Sequence, residues 1–398
     1  MQRGYKVELD PNNKQLTMLK KHAGVARFTY NWGLDICKQS IQNKEKIPSA
    51  MDLHKQIVLL KQEKPWLREV SKCAPQEALR NLETAFKNFY RNCKNKSKSK
   101  GFPIFKSKKK NKESFRLTGT IKLLDNYVQL PRLGKIKLKE IDYLPKNSNI
   151  LSATISEQAG HWFVSILVEQ IAPIKVNKSE KIIGLDLGIK SLAVCSDGRI
   201  FENHRAMRNS LDKLKKLGRR VSKKQKGSQN REKARKQLAR QHYRMACIRK
   251  DTLHKISSEL TKTNSVIVIE NLNIAGMLQN HKLARAIQDM GWYELRRQLE
   301  YKSDWYSCKI VIADRFYPSS QICSFCGVRK TDLNLNDREY ICGECGNKID
   351  RDLNAAKNLE KLYTVSSTEI NTYGEESSGL VGKQSETIFD EIGIKQEI

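Results

Sequence analysis

The chain has 398 residues, 39% of them hydrophobic, which is enough for two or three packed domains and excludes a disordered or fibrous class. No run of 18 apolar residues occurs and the start, MQRGYKVELDPNNK, has no apolar signal core, so neither a membrane span nor export is expected and the protein should stay in the cell interior. Lysine and arginine total 74 against 43 acids, a net charge of +31 with a pI near 9.7; self-repulsion on that scale calls for a polyanion, and nucleic acid is the expected partner.

In chain order, YKVELDP alternates like a strand. Residues 13–46 follow as an amphipathic helix carrying Leu16, Leu19, Val25, Phe28 and Trp32. A second helix is predicted over residues 75–93, where Ala78, Leu82, Ala85, Phe86 and Phe89 recur at helical spacing. Then comes KNKSKSKGFPIFKSKKKNKESFR, broken by Gly101 and Pro103. It reads as a basic loop that can lie along a phosphate backbone, with Phe102, Phe105 and Phe115 available to pack or to stack. The runs YVQLP, KIKLKE, NILSATISE and HWFVSILVE, separated by turn residues, predict a small antiparallel barrel completed by the N-terminal strand. IAPIKVNKSE reads as a linker, which puts the main boundary near Asn177.

KIIGLDLGIKSLAVCSDGRIF predicts two buried strands and a third at GRIF. Residues 205–250 hold 18 Lys or Arg against only Asp212 and Glu232, a pair of long helices joined at KGSQN that should face nucleic acid. SVIVIENL is the next strand, residues 295–305 a helix, and CKIVIADRF another strand ahead of a cysteine module. The acidic, Ser-rich tail from residue 363 to 398 has the composition of a disordered segment.

Four of the ten cysteines form two CxxC pairs, Cys323 with Cys326 and Cys342 with Cys345, each followed by a glycine, Gly327 or Gly346, that permits a tight turn. Four thiolates at this spacing describe a structural Zn2+ ribbon with no open position for water. Cys37, Cys73, Cys93, Cys195, Cys247 and Cys308 are scattered, which fits a reducing compartment better than disulfides.

Three acids sit where a structural protein would seldom bury charge. Asp186 lies at the end of the apolar run IIGLD, and Glu270 ends SVIVIE. The third lies in IDRDLNAAKNLEKL, where Asp350 is the better N-cap and Asp352 the better ligand. Three such carboxylates can hold two Mg2+ or Mn2+ ions for phosphodiester hydrolysis. No Ser, His or Cys nucleophile set competes with them, and the seven histidines are dispersed.

Taken in order, GLDLGIK, IENL, DRFYPSSQICSFCG, YICGECG and DRDLNAAKNL, together with GVARFTYNWGL and LRNLETAFKNFY near the start, resemble the TnpB family of transposon-encoded RNA-guided DNA endonucleases, relatives of the type V CRISPR effectors. The resemblance runs to about Leu362. It implies a multi-domain α/β and β protein: an RNase H-like RuvC nuclease domain with an inserted zinc ribbon, plus an N-terminal wedge β-barrel interrupted by a helical recognition domain. The implied boundaries are 1–9 and 111–169 for the barrel, 10–110 for the recognition helices, 177–320 and 347–362 for RuvC, and 321–346 for the ribbon. It further implies Asp186, Glu270 and Asp352 as the catalytic carboxylates, and a noncoding guide RNA from the transposon end. The target is double-stranded DNA licensed by a short adjacent motif, with Lys72 and Gln76 at positions that meet that motif. A monomer in a prokaryotic cytoplasm, at the nucleoid when in use and alongside a transposase of the same element, completes the expectation. Three alternatives remain: a nuclease-dead RNA-guided regulator, a guide-independent structure-specific nuclease, and a strand-transferring transposase.

Overall fold

The computed structural model describes residues 2–96, 100–108, 112–140, 144–145, 148–169, 179–203, 205–334 and 337–372. Residues 171–178 of the predicted linker, and the end of the tail from residue 373, lie outside them. The chain divides into two compact units, residues 1–176 with 204–255, and residues 177–203 with 256–398.

The first unit is built from β1 (Gln2–Asp10), α1 (Asn13–Gln42), α2 (Ala50–Glu63), α3 (Cys73–Lys94), β2 (Ser114–Leu117), β3 (Lys122–Leu124), β4 (Tyr127–Leu130), β5 (Gly134–Leu138), β6 (Asn149–Gln158) and β7 (His161–Glu169). A capping box starts α1: Asn12 Oδ1 accepts from the Gln15 N–H while Gln15 Oε1 accepts from the Asn12 N–H. The strands form one antiparallel sheet in the order β2-β6-β7-β1-β5-β4-β3.

The edge strands β2 and β3 have no ladder between them among the described residues, so the predicted barrel is not closed by backbone hydrogen bonds. It is nevertheless curled. Seven flat strands put the edges about 29 Å apart, whereas the link from Leu117 to Lys122 spans at most about 19 Å. One continuous core joins Val7 and Leu9 of β1, Leu19 and Leu34 of α1, Leu79, Leu82 and Phe86 of α3, and Ile136, Ile155 and Val164 of the sheet. The helical and barrel segments, separate in the expected division, therefore share one interior.

The basic loop is pinned at several points. Asn31 pairs with both backbone groups of Lys106, Phe102 packs edge-on against Phe86 and Phe89, and Lys38 covers the Phe105 ring. Phe115, by contrast, belongs to the core and is not available to stack on bases.

Helices α4 (Ala206–Ser222) and α5 (Gln229–Thr263) form the predicted basic pair. The expected division placed them with the nuclease domain. Here residues 204–255 group with the first unit, where Tyr243 lies against the His161 and Phe163 rings of β7. All of their lysines and arginines through Lys250 are exposed except the half-buried Arg231 and Arg249.

The second unit centres on five strands, β8 (Ile182–Asp186), β9 (Ser191–Cys195), β10 (Ile200–Glu202), β11 (Val266–Ile269) and, after the short α6 (Ile274–Met277) and α7 (Ala284–Met290) and α8 (Trp292–Tyr306), β12 (Lys309–Ile312). Their order is β10-β9-β8-β11-β12. The hairpins β8/β9 and β9/β10 are antiparallel, whereas β8, β11 and β12 run parallel. A small hairpin, β13 (Glu339–Ile341) with β14 (Lys348–Asp350), leads directly into α9 (Arg351–Thr372). This helix runs ten residues into the predicted tail and packs on β8, β9 and β11. Among the described residues, no helix is long and apolar enough to cross a membrane.

Gly184, in the middle of β8, fixes how closely α9 can approach. A Cβ there would fall 1.9 Å from the Ala356 carbonyl oxygen and 2.6 Å from the Glu360 nitrogen, both backbone atoms. Gly184→Ala should therefore cost about 3 kcal/mol or more, read as a lower denaturation midpoint. An unchanged midpoint would mean the helix is free to move away.

Candidate active site

The parallel register pairs Leu185 with Ile269, so the next residues, Asp186 and Glu270, emerge side by side where β8 and β11 end. Asp352 comes from the first turn of α9, one turn before Ala356, the residue seated on Gly184. Asp350 takes the capping role, accepting from the Asp352 and Leu353 backbone N–H groups at 3.0 and 3.1 Å. Asp352 is thereby left to point its carboxylate elsewhere.

The three acids repel one another. Burial, then the charges of Glu270, Asp352 and Asp350, push the Asp186 carboxyl well above the usual carboxylate range, with Arg351 partly opposing them. Burial likewise raises Glu270, against a hydrogen bond from Ser319 that favours its ionised form. All three acids remain half-buried, so a ligand can reach them. Hard divalent cations with oxygen preference fit this donor set, because they offset both the burial and the repulsion.

The four cysteines converge as the spacing predicts, with every pair of sulfurs within 4.8 Å. Cys323 and Cys345 are 3.7 Å apart, Cys326 and Cys342 3.5 Å. Thiolates about 2.3 Å from one tetrahedral ion lie about 3.8 Å from each other, so the site fits Zn2+. Burial opposes ionisation of Cys323, yet the N–H groups of Cys326 and Phe325 aimed at its sulfur bring it down to about 6. Gly327 and Gly346, at φ of 78° and 68°, close the two knuckles. Among the described residues this is the one metal-type cluster so tightly drawn; the carboxylates surround a wider space.

Sequence reading missed the residues that brace this centre. Asn354 and Asn358 are buried on α9. Asn354 accepts from the Ser324 N–H and donates to the Ile322 carbonyl, and Asn358 donates to the Ser319 and Ile322 carbonyls. Two asparagines four apart within the buried stripe of an otherwise apolar helix face were the available signal.

Lys72 is exposed at the N-cap of α3 and Gln76 half-exposed one turn later, so both are reachable on one face. Their backbone is anchored from below. His22 Nδ1–H donates to the Met18 carbonyl and Nε2 accepts the Ser71 N–H at 3.0 Å, and burial lowers the His22 pKa, keeping the ring neutral.

Three outcomes follow for stability. Because the folded pKa values of Asp186 and Glu270 are raised, their protonated forms favour the native state. Without added divalent ions, stability should therefore fall as pH rises from the ordinary carboxylate range, about 4, through those raised values. Asp186→Asn should remove part of this penalty and raise neutral-pH stability by about 0.5–2 kcal/mol in thermal unfolding; a destabilised variant would contradict the repulsion. Cys342→Ser should release zinc and destabilise the second unit, and unaltered zinc content would count against the ribbon.

The chain matches three family descriptions: "Helix-turn-helix domain" over residues 1–46, which here are strand β1 and the uninterrupted helix α1; "Probable transposase" over 165–281; and "Cas12f1-like, TNB domain" over 292–359. A Streptomyces pristinaespiralis protein named "Putative RNA-guided DNA endonuclease" is 37% identical over 90% of this chain and 89% of its own. The Escherichia coli K12 protein named "Putative RNA-guided DNA endonuclease InsQ" is 30% identical over 89% and 90%. A mimivirus "TnpB-like protein L79" is 26% identical over 50% of this chain and 40% of its own. With that similarity running along nearly its whole length, the chain belongs to the TnpB family.

Proposed function

We propose that this protein is an RNA-guided DNA endonuclease that hydrolyses target phosphodiesters at Asp186, Glu270 and Asp352. The observation that carries the reading is the convergence of these acids from two strand ends and a helix start, with Asp186 strongly perturbed by burial and then by the charges of the other two. The strand order, third-second-first-fourth-fifth with three strands parallel, supports the RNase H-like RuvC assignment. The names of the two full-length bacterial relatives support the reaction class.

Two divalent ions, Mg2+ or Mn2+, held among the three carboxylates would activate water and neutralise the charge developing on the leaving oxygen. The chain's own part is to gather and aim the carboxylates. Gly184 holds α9, and with it Asp352, close to β8. The Asp350 cap fixes the first turn of the helix, and Arg351 favours ionised Asp186. The exposed basic face of α4 and α5 suits the backbone of a noncoding guide RNA, which binds through phosphates while base pairing reads the DNA. Lys72 and Gln76 have the chemistry and the exposure to contact base edges of a short adjacent motif. A regulator without nuclease activity would be free to lose an acid, and this chain retains all three.

The test is to purify the protein from cells carrying its flanking DNA, sequence any bound RNA, and assay matched duplex DNA with Mg2+. One discrete RNA and guide-dependent cutting are expected. Asp186→Ala should lower cutting by at least about 10³-fold while leaving RNA binding intact. RNA binding without cutting would instead indicate a regulator, and cutting without RNA a structure-specific nuclease.

A further inference from the structure

We propose that Ser319 is a positioning residue for Glu270, and that through it the first zinc knuckle helps set the geometry of the nuclease centre. The inference rests on the reading of Glu270 as a metal-binding carboxylate. Ser319 is buried, and its Oγ donates to Glu270 Oε1 at 2.6 Å. A carboxylate at a strand end has three rotatable bonds, and a charge-assisted bond of this length selects one orientation among them. A neutral hydroxyl does so without cancelling the charge that attracts a cation, and a carboxylate with about four lone-pair sites keeps capacity for the ion.

The hydroxyl is itself held. The Ser319 carbonyl accepts from Asn358 Nδ2 at 2.7 Å, and the same amide reaches the Ile322 carbonyl at 2.6 Å. Asn354 Nδ2 donates to Ile322 as well, at 2.7 Å, while its Oδ1 accepts the Ser324 N–H at 2.8 Å. Tyr317 adds a bond from its hydroxyl to the Asn358 carbonyl at 3.2 Å. The segment from Tyr317 to Ser324, which ends in the Cys323 knuckle, is therefore clamped along α9. That helix also carries Asp352, two residues before Asn354. One rigid element thus places Asp352 directly and Glu270 through Ser319, which couples two ligands from distant parts of the sequence.

Calorimetric titration of Mn2+ into the zinc-loaded full chain, without nucleic acid, tests this. Ser319→Ala should weaken Mn2+ binding about 10- to 100-fold with zinc content and unfolding midpoint unchanged, a pattern that a purely structural role would not give. Should the alanine variant lose zinc or unfold, the near-isosteric pair Ser319→Thr and Ser319→Val decides: threonine should retain affinity and valine lose it. Equal Mn2+ affinity for serine, threonine and valine overturns the proposal. Glu270→Gln separates the two layers. If it binds Mn2+ like the parent chain, the assignment of Glu270 fails and this inference with it; if it loses Mn2+ while Ser319→Val does not, this inference alone fails.

Discussion

The backbone contact between α9 and β8 at Gly184 governs the second unit. Few positions allow a helix to rest on a strand with its carbonyl where a Cβ would stand, and here the strand carries one acid two residues later. The helix carries another a turn earlier. The approach gathers three residues remote in sequence, and its cost appears at Asp186, whose pKa is raised by burial and then by the neighbouring acids, and at Glu270, raised by burial. Functional sites characteristically hold such unfavourable charge until a ligand offsets it.

The ribbon belongs to the same construction. Its own core is small, Tyr340 with Leu333 and Ile349 beside the cysteines, too little apolar surface to hold a fold alone. Metal ligation would supply the missing stability. In return its first knuckle docks on the asparagine pair of α9, and the hairpin β13/β14 ends in Asp350, the cap that starts the helix. Zinc chemistry and carboxylate chemistry are distinct in ligand type yet share one helix.

Much of this was legible because burying charge is costly. An acid ending a hydrophobic run, as at Asp186 and Glu270, stands out against apolar neighbours, and paired CxxC spacing has few other uses. The strands with strong alternation and the helices α1 and α3 were legible for the same reason. Helix α2 was not, since only Leu53 and Ile57 of its apolar residues are buried while Met51, Val58 and Leu59 face outward, blurring the period. Sheet curling, the shared core of the first unit and the grouping of the basic helices with β7 depend on non-local contacts that no window of sequence contains. Ser319, Asn354 and Asn358 are ordinary polar residues until their partners, up to 49 positions away, are known.

The two units also divide the chemistry. Net positive charge is concentrated on exposed helices of the first, which suits sequence-independent phosphate contacts, and the three candidate metal-binding carboxylates lie in the second. The most direct test of the central claim is anomalous diffraction from crystals of the zinc-loaded protein soaked in Mn2+. Manganese density bounded by Asp186, Glu270 and Asp352, absent in Asp186→Asn crystals, is the predicted result. A centre without bound manganese while the ion occupies other sites would contradict it.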